Sequence, residues 1–188
     1  MNNLPIISDT GTVQQFVECW KEYYNEYDEE IYYTHMTNDP ITENDIRALF
    51  EWKNGMTLSG AKMNSIESKV LNKTNLINEL RNTANLDFDT LNNHFIDLAA
   101  IWRIFVLHII NPFEFPIFDQ HVFRAMRFIK THKVEDLKND DLAKIEIYKN
   151  EYLPFYWDLA KGLDDLRSCD KALWAFGKFL TQAKRVEA

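Results

Sequence analysis

The 188-residue chain has little of what usually punctuates or staples a fold. Glycine and proline number five each. Sheet-rich folds use both heavily in tight turns, so this scarcity argues against them. The two cysteines, Cys19 and Cys169, lie far apart and form neither a Cys-x-x-Cys pair nor a zinc spacing. A reducing compartment would leave them as thiols. The most apolar stretch, residues 101–110, is too short to span a bilayer and is interrupted by Arg103 and His108. Residues 1–9 carry no basic start and no long apolar run, so no signal peptide is expected. These absences lead us to expect a cytoplasmic protein without membrane association. No Gly-x-Gly-x-x-Gly, P-loop or Gly-x-Ser-x-Gly motif occurs. His35, His94, His108 and His132 show no metal-ligand spacing, so neither a metal site nor a cofactor is expected.

Aromatic residues, by contrast, are plentiful at 14% of the chain, and flat side chains should dominate the packing. The net charge of −8 argues at first against a nucleic-acid partner. Its distribution changes that reading. Eleven acids face three bases up to Gly60, while the remainder carries 18 of each. The acidity is a property of the first third, and a polyanion-binding face elsewhere stays open.

The hydrophobic spacing is helical almost throughout. Val13, Phe16, Val17, Trp20, Tyr23, Tyr24 and Tyr27 mark a first helix over residues 12–27. Thr42 caps a helix that buries Ile46, Leu49, Phe50 and Trp52, and Gly55 suits its left-handed C-cap. Shorter helices follow over residues 59–71 and 74–83. Asp87 or Asp89 starts a long helix that runs to Ile110 and stops at Asn111-Pro112. Asp119 opens a helix through Ile129. Asn139 or Asp140 starts another, interrupted near Pro154, and a last helix covers residues 164–184. The expectation is an all-α, single-domain bundle over residues 1–188, with the acidic part, 1–60, packed on the rest.

The most informative segment is Phe115-Pro116-Ile117-Phe118-Asp119-Gln120-His121-Val122-Phe123-Arg124. Asp119 is placed as an N-cap, where its carboxylate accepts backbone N–H bonds at the positive end of the helix. Val122, Ala125, Met126 and Ile129 share the buried face. An apolar helix, a short loop and then Pro-apolar-Asp-x-His-Val-x-Arg resembles the helix-hairpin-helix DNA glycosylase superfamily, the fold of 8-oxoguanine DNA glycosylase. Pro116, Asp119, His121, Val122 and Arg124 match that pattern, with one extra residue between proline and aspartate. The similarity spans residues 86–129.

The resemblance implies that Asp119 is the catalytic carboxylate of a DNA repair hydrolase. Breaking an N-glycosidic bond builds positive charge on the sugar, which an ionised carboxylate stabilises while orienting a water. The substrate base would leave the stack and enter an aromatic pocket. Phe50, Trp52, Trp102, Phe118 and Trp174 are the candidates to line it. Two departures qualify the implied activity. The family's glycine-rich hairpin turn, which holds a DNA phosphate, is replaced near Leu91-Asn92-Asn93-His94-Phe95 by residues without glycine, so the hairpin is degenerate. The helix before the motif carries Arg103 but no lysine to attack the sugar, and a guanidinium stays protonated. Any activity should therefore be monofunctional.

Candidate substrate or DNA contacts are Lys53 and Asn54, at the end of their helix, with Trp102, Arg103, Phe118, His121, Arg124 and Trp174. Gly177, within the last helix, is read as a site of close helix packing. The alternative function is a non-catalytic helical interaction module that has lost DNA binding. Its partner surface would be the acidic, tyrosine-rich stretch of residues 18–33, since tyrosines enrich interfaces.

Overall fold

The computed structural model describes residues 11–25 and 28–186. Those residues form helices and loops with no strand, so the chain is all-α. In chain order the helices are α1 (Val13–Lys21), α2 (Glu29–Met36), α3 (Glu43–Asn54), α4 (Gly60–Lys69), α5 (Thr74–Arg81), α6 (Phe88–His94), α7 (Ala100–Ile110), α8 (Gln120–Thr131), α9 (Asp141–Ile147), α10 (Leu153–Ala160) and α11 (Leu166–Val186). Among the described residues, no helix is long and apolar enough to cross a membrane.

Local chemistry sets most boundaries. Thr12 and Gln15 form a reciprocal capping box at α1, and Thr42 and Asp45 form another at α3. Gly55 closes α3 at φ 71°, a left-handed conformation that costs glycine nothing. α1 stops at Lys21, short of the expected end, and Tyr23 is exposed. Tyr27 lies outside the described residues. Asp140 is the residue that caps α9, through a hydrogen bond from the Ala143 N–H. The break near Pro154 takes the form of a π-helical turn, Tyr148–Tyr152, running into α10. Proline has no N–H to give, so the preceding turn changes its hydrogen-bond register.

One expectation fails. The helix foreseen from Asp87 to Ile110 is two helices. Asp87 caps α6, the chain turns over residues 95–99, and α7 begins at Ala100. Phe95 and Leu98 are buried within that turn and anchor it.

The chain divides into two compact units, Met1–Asn25 with Phe118–Ala188, and Glu26–Ile117. The acidic first third is shared between them, α1 in the first and α2 and α3 in the second. In the first unit α11 packs against both α1 and α8. Phe16, Trp20 and Phe128 meet Phe176 at ring-centroid distances of 5.5, 4.9 and 5.6 Å. In the second unit α7 is buried from Arg103 to Ile110. A helix apolar on all sides belongs in the middle of its neighbours. Arg81 of α5 donates to the carbonyls of Ile109, Met36 and Asn38, joining α5 to the ends of α7 and α2. His108 accepts from the Tyr32 hydroxyl at 2.8 Å while its Nδ1–H donates to the Phe115 carbonyl at 2.8 Å, an assignment in which each ring nitrogen has one partner.

Candidate functional site

The motif segment lies where the chain passes between the units. Phe115, Pro116, Ile117 and Phe118 are all buried, and Asp119 follows half-buried. Its backbone is extended, and its Oδ1 accepts from the His121 N–H at 2.8 Å and the Val122 N–H at 3.2 Å. Two of the donors left orphaned at the start of α8 are thereby satisfied. Val122, Ala125 and Met126 form the buried face of α8, as their spacing indicated.

The first unit brings His121, Arg124 and Trp174 together. The His121 ring stands edge-on to Trp174 at 4.9 Å, and its Nδ1 lies 3.4 Å from Arg124 Nη1. Arg124 also donates to Asp136 at 2.8 Å and to the Thr181 hydroxyl at 2.7 Å, which fixes the guanidinium on the α8–α11 seam. Three residues absent from the expected set join this wall. Lys178 places its ammonium 5.2 Å from the centre of the Trp174 ring. Tyr24 packs edge-on to Trp174 at 5.2 Å and receives a hydrogen bond from Arg167 at 3.0 Å. The Trp174–Lys178 pair was legible as an i, i+4 relation on one helix face. The Tyr24 contact joins residues distant in sequence, and no local pattern announces it.

The aromatic candidates divide between the two units. Phe118 is 1% exposed and packs on Tyr148 and Tyr152 at 5.4 and 4.9 Å, so it belongs to the core of the first unit. Phe50 and Trp52 are likewise core in the second unit. Trp102 is the exception. It is half-buried, stacks on Phe50 at 5.0 Å, and has the Lys62 ammonium 5.7 Å from its ring centre. Asn54 accepts from that same ammonium at 2.6 Å and donates to the Met56 carbonyl, and Lys53 is half-buried beside it in α3. Lys62 is thus a further residue that the sequence did not single out.

Arg103 is 7% exposed, and its guanidinium donates to the Leu98 carbonyl, the Ile96 carbonyl and Asn92 Oδ1. These bonds place it inside the α6–α7 turn as a fastening. Lys69 and Lys73 reach the same turn from outside, donating to the carbonyls of Asp97 and His94 at 2.7 and 2.6 Å. The turn, which has no glycine, is therefore tied by its carbonyls to three cations.

Among the described residues, no group of three or more His, Cys, Asp or Glu side chains is arranged to hold a metal ion. Burial raises the Cys169 thiol well above its ordinary range, which disfavours the nucleophilic thiolate. The Tyr148 and Tyr152 hydroxyls are also pushed up by burial, reinforced by the charge of Asp170. The Cys169 thiol and the Tyr148 and Tyr152 hydroxyls are thus held in their neutral forms. No protein-family model, curated protein or solved structure matches the chain.

Proposed function

We propose that the chain is a monofunctional DNA N-glycosylase, or a diverged relative of one, acting on modified or damaged bases. The observation that carries this reading is the setting of Asp119. The residue is half-buried, and its carboxylate is oriented by two backbone N–H groups at the start of α8, directly after the buried Pro116 loop. A helix N-terminus favours a negative charge, and a carboxylate held there can stabilise a sugar cation without first reorganising. The break between α6 and α7 adds support, because two helices joined by a tight turn precede the motif where the resemblance calls for a hairpin. The resemblance also marks His121, in the first turn of α8, and Arg124, in the next turn of the same helix.

Excision from duplexes carrying a panel of damaged or modified bases tests the proposal. The expected product is an intact abasic strand that breaks only on alkaline treatment. Strand scission without alkali contradicts the monofunctional assignment.

The second reading, a non-catalytic interaction module, is favoured by Arg103 and Arg124. Both guanidinium groups are engaged within their own units. Its partner surface would include Ile31 and Tyr33, both exposed on α2 within the acidic stretch. Failure to bind duplex DNA at low salt would select it.

A further inference from the structure

The second unit carries a row of lysines that the motif does not include. Lys62 and Lys69 lie on α4, seven positions apart and so on the same face. Lys73 follows in a short 3-10 turn, Leu71–Lys73. Their ammonium groups reach successive points along the α6–α7 turn and the first turn of α7. Lys73 is on the His94 carbonyl, Lys69 on the Asp97 carbonyl, and Lys62 over the Trp102 ring. α7 begins at the same place with no side-chain cap hydrogen bond, so its positive end adds to that potential. The acid nearest in sequence on α4, Glu67, is paired with Arg47 at 3.2 Å. Asp97, exposed on the turn, is the acid whose backbone carbonyl Lys69 holds.

We infer that Lys62, Lys69 and Lys73, with the half-buried Trp102, form a track for the phosphate backbone of a nucleic acid. This rests on the nucleic-acid reading above and assigns the contact to lysines. A row of cations that ends at a flat ring suits a chain of phosphates and bases. An acidic peptide would be attracted by the charges alone and gives Trp102 no role. Each lysine holds its carbonyl or amide through a single ammonium at the surface, so the donor can turn toward a phosphate at small cost.

The test uses the whole chain and an undamaged fluorescent duplex, so that no chemistry is involved. Lys62→Gln, Lys69→Gln and Lys73→Gln, combined, remove three charges while keeping a donor for each acceptor. Unfolding midpoints of the variants confirm that the fold survives. The combined variant should bind on the order of tenfold or more weakly than wild type, and the slope of log affinity against log salt should fall by roughly two to three. Lys161→Gln, in the other unit, should leave both unchanged. Asp97→Asn should tighten binding. Equal affinity and slope in wild type and the triple variant would overturn the track while leaving Asp119-dependent excision standing. Competition by polyglutamate as effective as by unlabelled duplex would overturn it in favour of an acidic-peptide site. Absence of wild-type binding at low salt would overturn both the track and the nucleic-acid reading.

Discussion

The backbone carbonyl of His121 rests against the Cα of Gly177, in the space that a side chain at position 177 would occupy. A Cβ there would also meet the carbonyl carbon and Cα of His121. A peptide group inside α8 cannot swing aside as a side-chain tip can, so the absence of a side chain at 177 lets α11 and α8 pack closely.

Gly177→Ala should therefore destabilise the protein. Alanine gains about 1 kcal/mol of helix propensity over glycine. Overpacking against a fixed backbone costs roughly 1–3 kcal/mol and should win, at the upper end of that range. Gly60→Ala, where nothing lies within 4 Å, is the control and should be neutral or mildly stabilising. Thermal unfolding of the two variants checks the sign. A Gly177→Ala protein as stable as wild type would show that the helices separate freely.

Arg103→Met should lower stability by about 2–4 kcal/mol, because the carbonyls of Ile96 and Leu98 lose a charged donor in a buried turn. Arg103→Lys should recover only part of the loss, since one ammonium cannot replace the fork of a guanidinium. Denaturant midpoints at constant slope distinguish these effects. A neutral Arg103→Met would release this arginine from its structural role.

Asp45 links stability to acid. Burial by itself would raise its carboxyl, but hydrogen bonds from His35, Thr42 and Asn38 outweigh that and hold it at about 2. A carboxyl depressed in the folded state contributes stability above its unfolded value of about 4, and loses it as pH falls through the folded value. Wild-type stability should thus fall between pH about 4 and about 2 by more than in Asp45→Asn, measured as unfolding midpoint against pH. Parallel curves for the two proteins would remove Asp45 from the acid response.

The sequence made the ends of elements legible wherever the deciding contact is local. Thr42 and Asp119 cap within three residues, and Gly55 turns left-handed for its own steric reason. The split at residues 95–99 was hidden because distant residues hold it, Lys69 and Lys73 from α4 and the 3-10 turn, and Arg103 from beyond the turn. For the same reason Arg103 looked like a surface cation. Periodicity gives no sign that a charged side chain folds back on its own turn. Phe118 and Trp174 were expected around a pocket and lie in the core of the first unit, because an aromatic residue reads alike in either setting. His121 and Arg124 were named for their place in the motif and Trp174 as an aromatic candidate, and the contact of His121 with Trp174, which no local pattern announces, is a product of the α8–α11 packing.

Base excision by wild type beside Asp119→Asn is the most direct measurement of the central claim. Asparagine keeps the shape and much of the capping ability of aspartate, so folding should survive within about 1 kcal/mol. It removes the negative charge that the transition state needs, so excision should fall on the order of a hundredfold or more, with DNA affinity little changed. Unfolding and binding measured on the same samples separate a loss of chemistry from a loss of structure. The account predicts wild-type release of a base to leave an intact abasic strand, and near loss of that release in Asp119→Asn. Equal excision by the two proteins, or none by wild type across the panel, would contradict it.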